Sequence, residues 1–180
     1  MKTAVWITLS VAALVIAADQ ISKFLVTATL PWGGMWSPFP GQNPIFRIVH
    51  ATNTGVAFGL FKGWGPLFVV IAAVAAALII LYANRLRDDQ WLMYVALGLM
   101  LGGAIGNVID RLRLGHVIDF IDVGIGTTRW YTSNLADVAI VSGVILLGLA
   151  TLLDEWKHRQ SKSSQRVPAG SATQTSHSEE

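Results

Sequence analysis

An all-α polytopic membrane protein, with four transmembrane helices and a small β-cradle on one membrane face, is the fold class this sequence predicts. Three observations predict it. Of 180 residues, 53% are hydrophobic and only 13% charged, whereas a soluble domain usually carries about 25% charged residues. Mean hydropathy is +0.53. Four apolar stretches, at about 3–25, 66–83, 91–110 and 137–153, have the length needed to cross a hydrocarbon core roughly 30 Å thick. The net charge of +2 supports no nucleic-acid partner. The absence of cysteine excludes disulfides, thiol catalysis, cysteine-ligated metal and a lipidated cysteine on this chain.

The first span follows Met1-Lys2. Lys2, the apolar run and Ala17-Ala18 also fit a cleavable signal peptide. With three more spans downstream, the segment serves equally well as the first helix of a bundle. Asp19, Gln20 and Lys23 continue its helical register. Residues 31–64 differ in character, because Pro31, Pro38, Pro40, Pro44 and several glycines break any helix. Ile45 to Val49 has the β-branched and aromatic make-up of a strand. Asn53-Thr54-Gly55 reads as a turn, and Val56 to Phe61 as a second extended piece. Trp32, Trp36 and Trp64 flank this cradle, as tryptophan does at membrane interfaces.

Residues 84–90 and 112–135 read as loops. The third span carries Gly98, Gly102 and Gly106 on one face, a stripe that admits a neighbouring helix closely. After 157 the chain turns to Ser, Gln, Thr and Gly, so 1–157 reads as one membrane domain and 158–180 as a disordered tail. An even number of spans puts both termini on one side. Placing them inside gives a small positive-inside bias in Lys and Arg.

Depth is the most informative inference. Sixteen residues separate Lys2 from Asp19, and sixteen separate Asp137 from Asp154. At about 1.5 Å per residue each run covers roughly 24 Å. Asp19 and Asp137 therefore fall just inside the far boundary, and the same count from Trp91 brings Asn107 to that level. Ionisable groups at such depth are costly unless paired or functional. Asn107 and Arg111 share a helix face, suited to interhelical bonding or to substrate. Asp110 reads as a local partner of Arg111 or Arg113, and Asp19 as either a helix-end residue reaching water or part of a site.

Asp119 and Asp137 both belong near that face. Two neighbouring carboxylates share a proton, so one acts as general base and the other as acid. Peptide hydrolysis by this route needs no metal or cofactor. Asp122, three residues on, is the internal rival to Asp119. His116 and Asp119 would suit a metal at i, i+3, but no second pair completes the site. Ser133 and Ser142 lack a basic partner for nucleophilic catalysis. A transporter would place ionisable groups at the midplane, where residues near 10, 75, 99 and 146 are apolar or small apart from Ser10. A structural scaffold leaves the aspartates without a role.

Five blocks then resemble the signature of the lipoprotein signal peptidase (signal peptidase II) family. They are Asp19 with Lys23, Asn53-Thr54-Gly55-Val56-Ala57-Phe58, Gly102 to Arg111, Val117-Ile118-Asp119-Phe120, and Asn134-Leu135-Ala136-Asp137. They occur in the family's order across 19–137. The resemblance implies a multi-pass aspartic endopeptidase of the bacterial inner membrane, with an extracytoplasmic β-cradle, cytoplasmic termini and a site near the extracytoplasmic face. Its substrates would be diacylglyceryl-modified prolipoproteins, cut immediately before the lipidated cysteine. By the match, Asp119 and Asp137 are the catalytic pair. Asp19, Lys23, Asn53, Gly55, Asn107, Arg111, Asn134 and Ala136 shape or brace the site. Asn53 and Arg111 are expected to contact substrate, and Asn134 to orient the pair. The implied partners are substrate and membrane lipid, with a monomer as default. One departure is that Ser133 stands where the family usually has phenylalanine.

Overall fold

The computed structural model describes residues 4–39, 41, 45–55 and 65–164. Helices α1 (Val5–Thr29), α2 (Gly65–Ala83), α3 (Trp91–Leu114) and α4 (Leu135–Ser164) alternate with strands β1 (Met35–Trp36), β2 (Phe46–Asn53), β3 (Val117–Ile125) and β4 (Thr128–Arg129). All four helices are long and apolar enough to cross a membrane. Their exposed faces carry Leu, Val, Ile, Phe and Trp, the side chains suited to lipid.

Helix α3 is the centre of the bundle and α2 its least buried member. The glycine stripe explains how α1 reaches α3. A Cβ added at Gly98 would meet the Thr8 carbonyl oxygen at 2.8 Å, and one at Gly102 would meet the Ala12 carbonyl oxygen at 2.8 Å. Gly106 continues the stripe against the Asp19 carboxylate. A second set, Gly103 and Gly143, brings α3 and α4 together against Ala136 and Ala96. At the opposite end Thr8 donates to the Tyr94 carbonyl at 2.9 Å, and buried Tyr94 donates to the Leu86 carbonyl at 3.2 Å.

Three expectations need correction. Residues 112–135 are not a loop: α3 runs on to Leu114, and β3 follows directly. Gly115, at φ +77°, makes the sharp reversal between them, a left-handed conformation that glycine adopts without a Cβ penalty. The small sheet is antiparallel in the order β1-β2-β3-β4, so the cradle is completed by a strand from beyond the third span. Third, α4 continues through 158–164, where composition suggested a tail, because no Gly or Pro interrupts it. The extended piece Val56 to Phe61, Trp64 and residues 165–180 lie outside the described residues.

Substituting Gly102→Val should separate α1 from α3 and cost about 1–3 kcal/mol by overpacking. Thermal denaturation in detergent checks this. Gly148→Ala, where an added Cβ meets nothing within 4 Å, should leave stability unchanged or slightly higher.

Candidate active site

The polar layer expected from the residue count is present and is held by one buried ionic cluster. Lys23 Nζ lies 2.8 Å from Asp19 Oδ2 and 2.7 Å from Asp110 Oδ2. All three side chains are at most 3% exposed. Asp110 is thus not a local partner of Arg111 or Arg113. It also accepts from Gln20 Nε2 at 2.9 Å and from the Ile118 backbone N–H at 3.2 Å. Asp19 does not reach water but accepts the Ala136 backbone N–H at 3.0 Å. That N–H is one of the free donors at the α4 N-terminus, where a carboxylate is favoured.

Asn134 starts α4. Its Oδ1 accepts the Asp137 backbone N–H at 3.0 Å, and its own N–H donates to Asp137 Oδ2 at 3.3 Å. This reciprocal capping box fixes Asp137 in the first turn. Asn107 Nδ2 donates to Asp137 Oδ1 at 2.8 Å. Asn107 Oδ1 in turn accepts from Lys23 Nζ at 3.2 Å and from Asn134 Nδ2 at 3.2 Å, which sets the orientation of its amide.

Asp119 comes from β3, opposite Ala51 of β2. Its Oδ1 accepts from Asn134 Nδ2 at 2.8 Å and its Oδ2 from Asn53 Nδ2 at 3.0 Å. Each aspartate is therefore held by two amide N–H groups, and Asn134 serves both. Burial pushes the Asp119 carboxyl up to about 6, against the hydrogen bond from Asn53. The Asp137 charge adds to the rise, and the Asn134 hydrogen bond and Lys23 charge oppose it.

Above them, Asn53 Oδ1 accepts the Gly55 N–H at 2.9 Å, closing the turn expected at 53–55. Arg111 Nη2 donates to the Gly55 carbonyl at 3.1 Å, and its guanidinium lies 5.4 Å from the centre of the Phe68 ring. Arg111 thus ties the turn to α3 and α2. Asn53, Asn107, Arg111, Asp119, Tyr131 and Asp137 line one cavity of about 200 Å³, with Ile140 and Val141 as an apolar wall.

Asp122 is separated from this cavity by strand geometry. Three residues on from Asp119, its side chain leaves the opposite face of β3. There it pairs with Arg47 and with Arg129, the latter at 2.9 Å. His116 and Asp119 do not converge either, since His116 lines a different cavity. Tyr131, Ile140 and Val141 are lining residues the sequence reading did not single out. The aromatic pair Trp130-Tyr131 inside an otherwise polar loop was the available signal for Tyr131.

A helix bundle with lipid-facing walls and a carboxylate-lined cavity at one end defines a multi-pass membrane protein with the equipment of an enzyme. The model of the family described as "Signal peptidase (SPase) II" matches residues 11–153. A lipoprotein signal peptidase of Geobacter metallireducens is 42% identical over 155 residues, covering 84% of this chain and 93% of that one. One of Burkholderia mallei is 40% identical over 142 residues, covering 77% and 83%. Two solved structures, both described as bacterial membrane enzymes, share the fold. One has a TM-score of 0.74 at 30% identity, covering 82% of this chain and 88% of that one; the other has 0.69 at 29%, covering 81% and 92%. The chain belongs to the signal peptidase II family, and it is a membrane peptidase.

A carbon-13 titration of the Asp119 carboxyl should show a midpoint near pH 6. Asn53→Ala should move it higher, because the lost hydrogen bond favours the ionised form. Stability contributed by this raised group is full below about pH 4 and lost as pH rises through about 6.

Proposed function

We propose that the chain removes the signal peptide from diacylglyceryl-modified prolipoproteins, cutting immediately before the lipidated cysteine, as an aspartic endopeptidase. One observation carries the mechanism: Asp119 and Asp137 line the same cavity, each held by amide donors, with Asn134 bonded to both. The names of the relatives, lipoprotein signal peptidases, support the substrate class.

In this mechanism the pair carries one proton. The ionised aspartate takes a proton from water, and the water oxygen bonds to the scissile carbonyl carbon. The protonated aspartate gives its proton to the carbonyl oxygen. Collapse of the tetrahedral intermediate breaks the C–N bond, a proton passes to the leaving amine, and the pair is left with one proton again. The route uses no metal or cofactor. Asn53, Asn107 and Asn134 orient the two carboxyls. Asp19, Lys23 and Ala136 hold the α4 N-terminus in place. Arg111 and Gly55 set the turn that roofs the cavity.

The diacylglyceryl group would keep the scissile bond at the membrane surface, where this cavity lies at the ends of the spans. The proposal includes the bacterial inner membrane, cytoplasmic termini, a site near the extracytoplasmic face, and action as a monomer. It treats 1–157 as the membrane domain, with the remainder outside the catalytic unit.

A processing assay with a diacylglyceryl-modified prolipoprotein checks the assignment. Asp119→Asn and Asp137→Asn should each lower cleavage by about 10²–10⁴-fold while still binding substrate. Asp122→Asn should still cut, with its cost appearing as lower stability from the lost Arg47 and Arg129 pairs. Normal cleavage by either of the first two variants would remove the two-aspartate mechanism.

A further inference from the structure

A second cavity, of about 300 Å³, shares no lining residue with the aspartate cavity and uses a different face of α3. Arg113 and Leu114 contribute from the end of α3, and Phe24 and Thr27 from the end of α1. His50 comes from β2, and His116 from the turn between α3 and β3. Gln20, Lys23 and Asp110 also line it.

Basic side chains outnumber acidic ones among the described residues lining this cavity. Asp110 is the one acid among the described lining residues, and Lys23, Gln20 and the Ile118 N–H already occupy it. Arg113 is exposed, and its hydrogen bond, to Gln20 Oε1, is long at 3.5 Å. His116 makes no hydrogen bond or ion pair among the described residues. His50 Nδ1 is bonded to the Leu30 carbonyl at 2.9 Å. That carbonyl only accepts, so Nδ1 carries the proton and Nε2 remains to be used. A guanidinium and two imidazoles thus border a cavity whose one acid has both oxygens engaged by donors, Lys23 being shared with Asp19.

The same cavity has an apolar edge. Phe24 is 68% exposed and Leu114 45% exposed, at the ends of two membrane-spanning helices. Basic groups above apolar, lipid-facing side chains at a helix end match a phospholipid in both of its parts. A free phosphate would use the basic groups but leave the apolar edge without a function.

We propose that this cavity binds the phosphodiester headgroup of an anionic membrane phospholipid, with Arg113 and His116 as donors to the phosphate and Phe24 and Leu114 beside the acyl chains. The occupant would brace the α1 and α3 ends against β2 and β3, behind the Lys23–Asp110 pair.

Native mass spectrometry of the full chain, released from detergent containing phosphatidylglycerol, tests this. The parent protein should retain one phosphatidylglycerol. Arg113→Gln combined with His116→Gln should lower that retention about tenfold or more. Thr27→Trp, which fills the cavity from an exposed position, should do the same by occupancy rather than charge. Arg85→Gln, at the other end of the bundle, should retain lipid like the parent. Retention equal to the parent's in either the double or the Thr27→Trp variant would overturn the proposal, as would a tenfold loss in Arg85→Gln. Displacement of the lipid by millimolar glycerol 3-phosphate would assign the cavity to a soluble phosphate and overturn the lipid reading. Prolipoprotein cleavage, measured in parallel, is a separate readout, so failure here and failure of the two-aspartate mechanism are distinguishable.

Discussion

Burial of the Lys23 ammonium between Asp19 and Asp110 is the constraint on which the rest of the structure depends. Removing one ion from water costs several kcal/mol even after relaxation, and this cluster holds three. Such burial is tolerated only when close partners and further hydrogen bonds complete each group. Here they do. Among the described residues no buried side-chain nitrogen or oxygen lacks a partner. The partners come from α1, α3, the first turn of α4 and the start of β3. These elements also carry the two aspartates, so the cluster fixes the site while taking no part in its cavity. Loss of Lys23 alone would leave two carboxylates buried without a cation, a far larger penalty than the loss of an exposed ion pair.

The choice of donors to the aspartates follows a different logic. Among the described residues, no cation touches either carboxylate directly. Asn53 and Asn134 serve Asp119, and Asn107 and the Asn134 backbone serve Asp137. A guanidinium in contact would favour ionisation of both acids. Amides orient the oxygens with a weaker bias toward the charged form, which lets burial raise Asp119. Arg111, the cation lining the cavity, donates instead to the carbonyls of Gly55 and Asn107. Its charge braces backbone, and the carboxyl pair keeps the capacity to hold a proton.

How much of this was legible in the sequence depended on range. The four spans were readable because lipid imposes one composition over about twenty residues. The glycine stripe was readable because helical periodicity fixes which residues share a face. Counting residues from the far membrane face placed Asp19, Asn107 and Asp137 in one layer, as the bonds among Lys23, Asn107, Asp137 and Ala136 bear out. The partner of Asp110 was not readable. Lys23 lies 87 positions earlier, and only the close α1–α3 packing brings the two together. Strand β3 was also missed. Val117–Ile125 is rich in Val and Ile, but Asp119 and Asp122 fall three apart rather than in alternation, and its partner β2 is more than sixty residues away.

The departure at Ser133 shows why a motif position can change without disturbing the aspartates. The Ser133 carbonyl accepts the N–H groups of Phe120 and Ile121 at 2.8 and 2.7 Å, and its own N–H donates to the Ile121 carbonyl at 3.0 Å. These bonds are made by backbone, so any non-proline residue supplies them. They hold the segment before α4 against β3 and so bring Asn134 to Asp119. The side chain at 133 is free to vary in this respect, whereas Asn134 is not. Its carboxamide caps α4 through Oδ1 and reaches both Asp119 and Asn107 through Nδ2. Aspartate at 134 would keep the helix cap but lose both N–H donors and add a third carboxyl group beside the pair. Serine would cap the helix without the reach to β3. Helix capping and alignment of the carboxyls thus require one side chain with an acceptor and two donors, and at this position only an amide of asparagine length meets both demands.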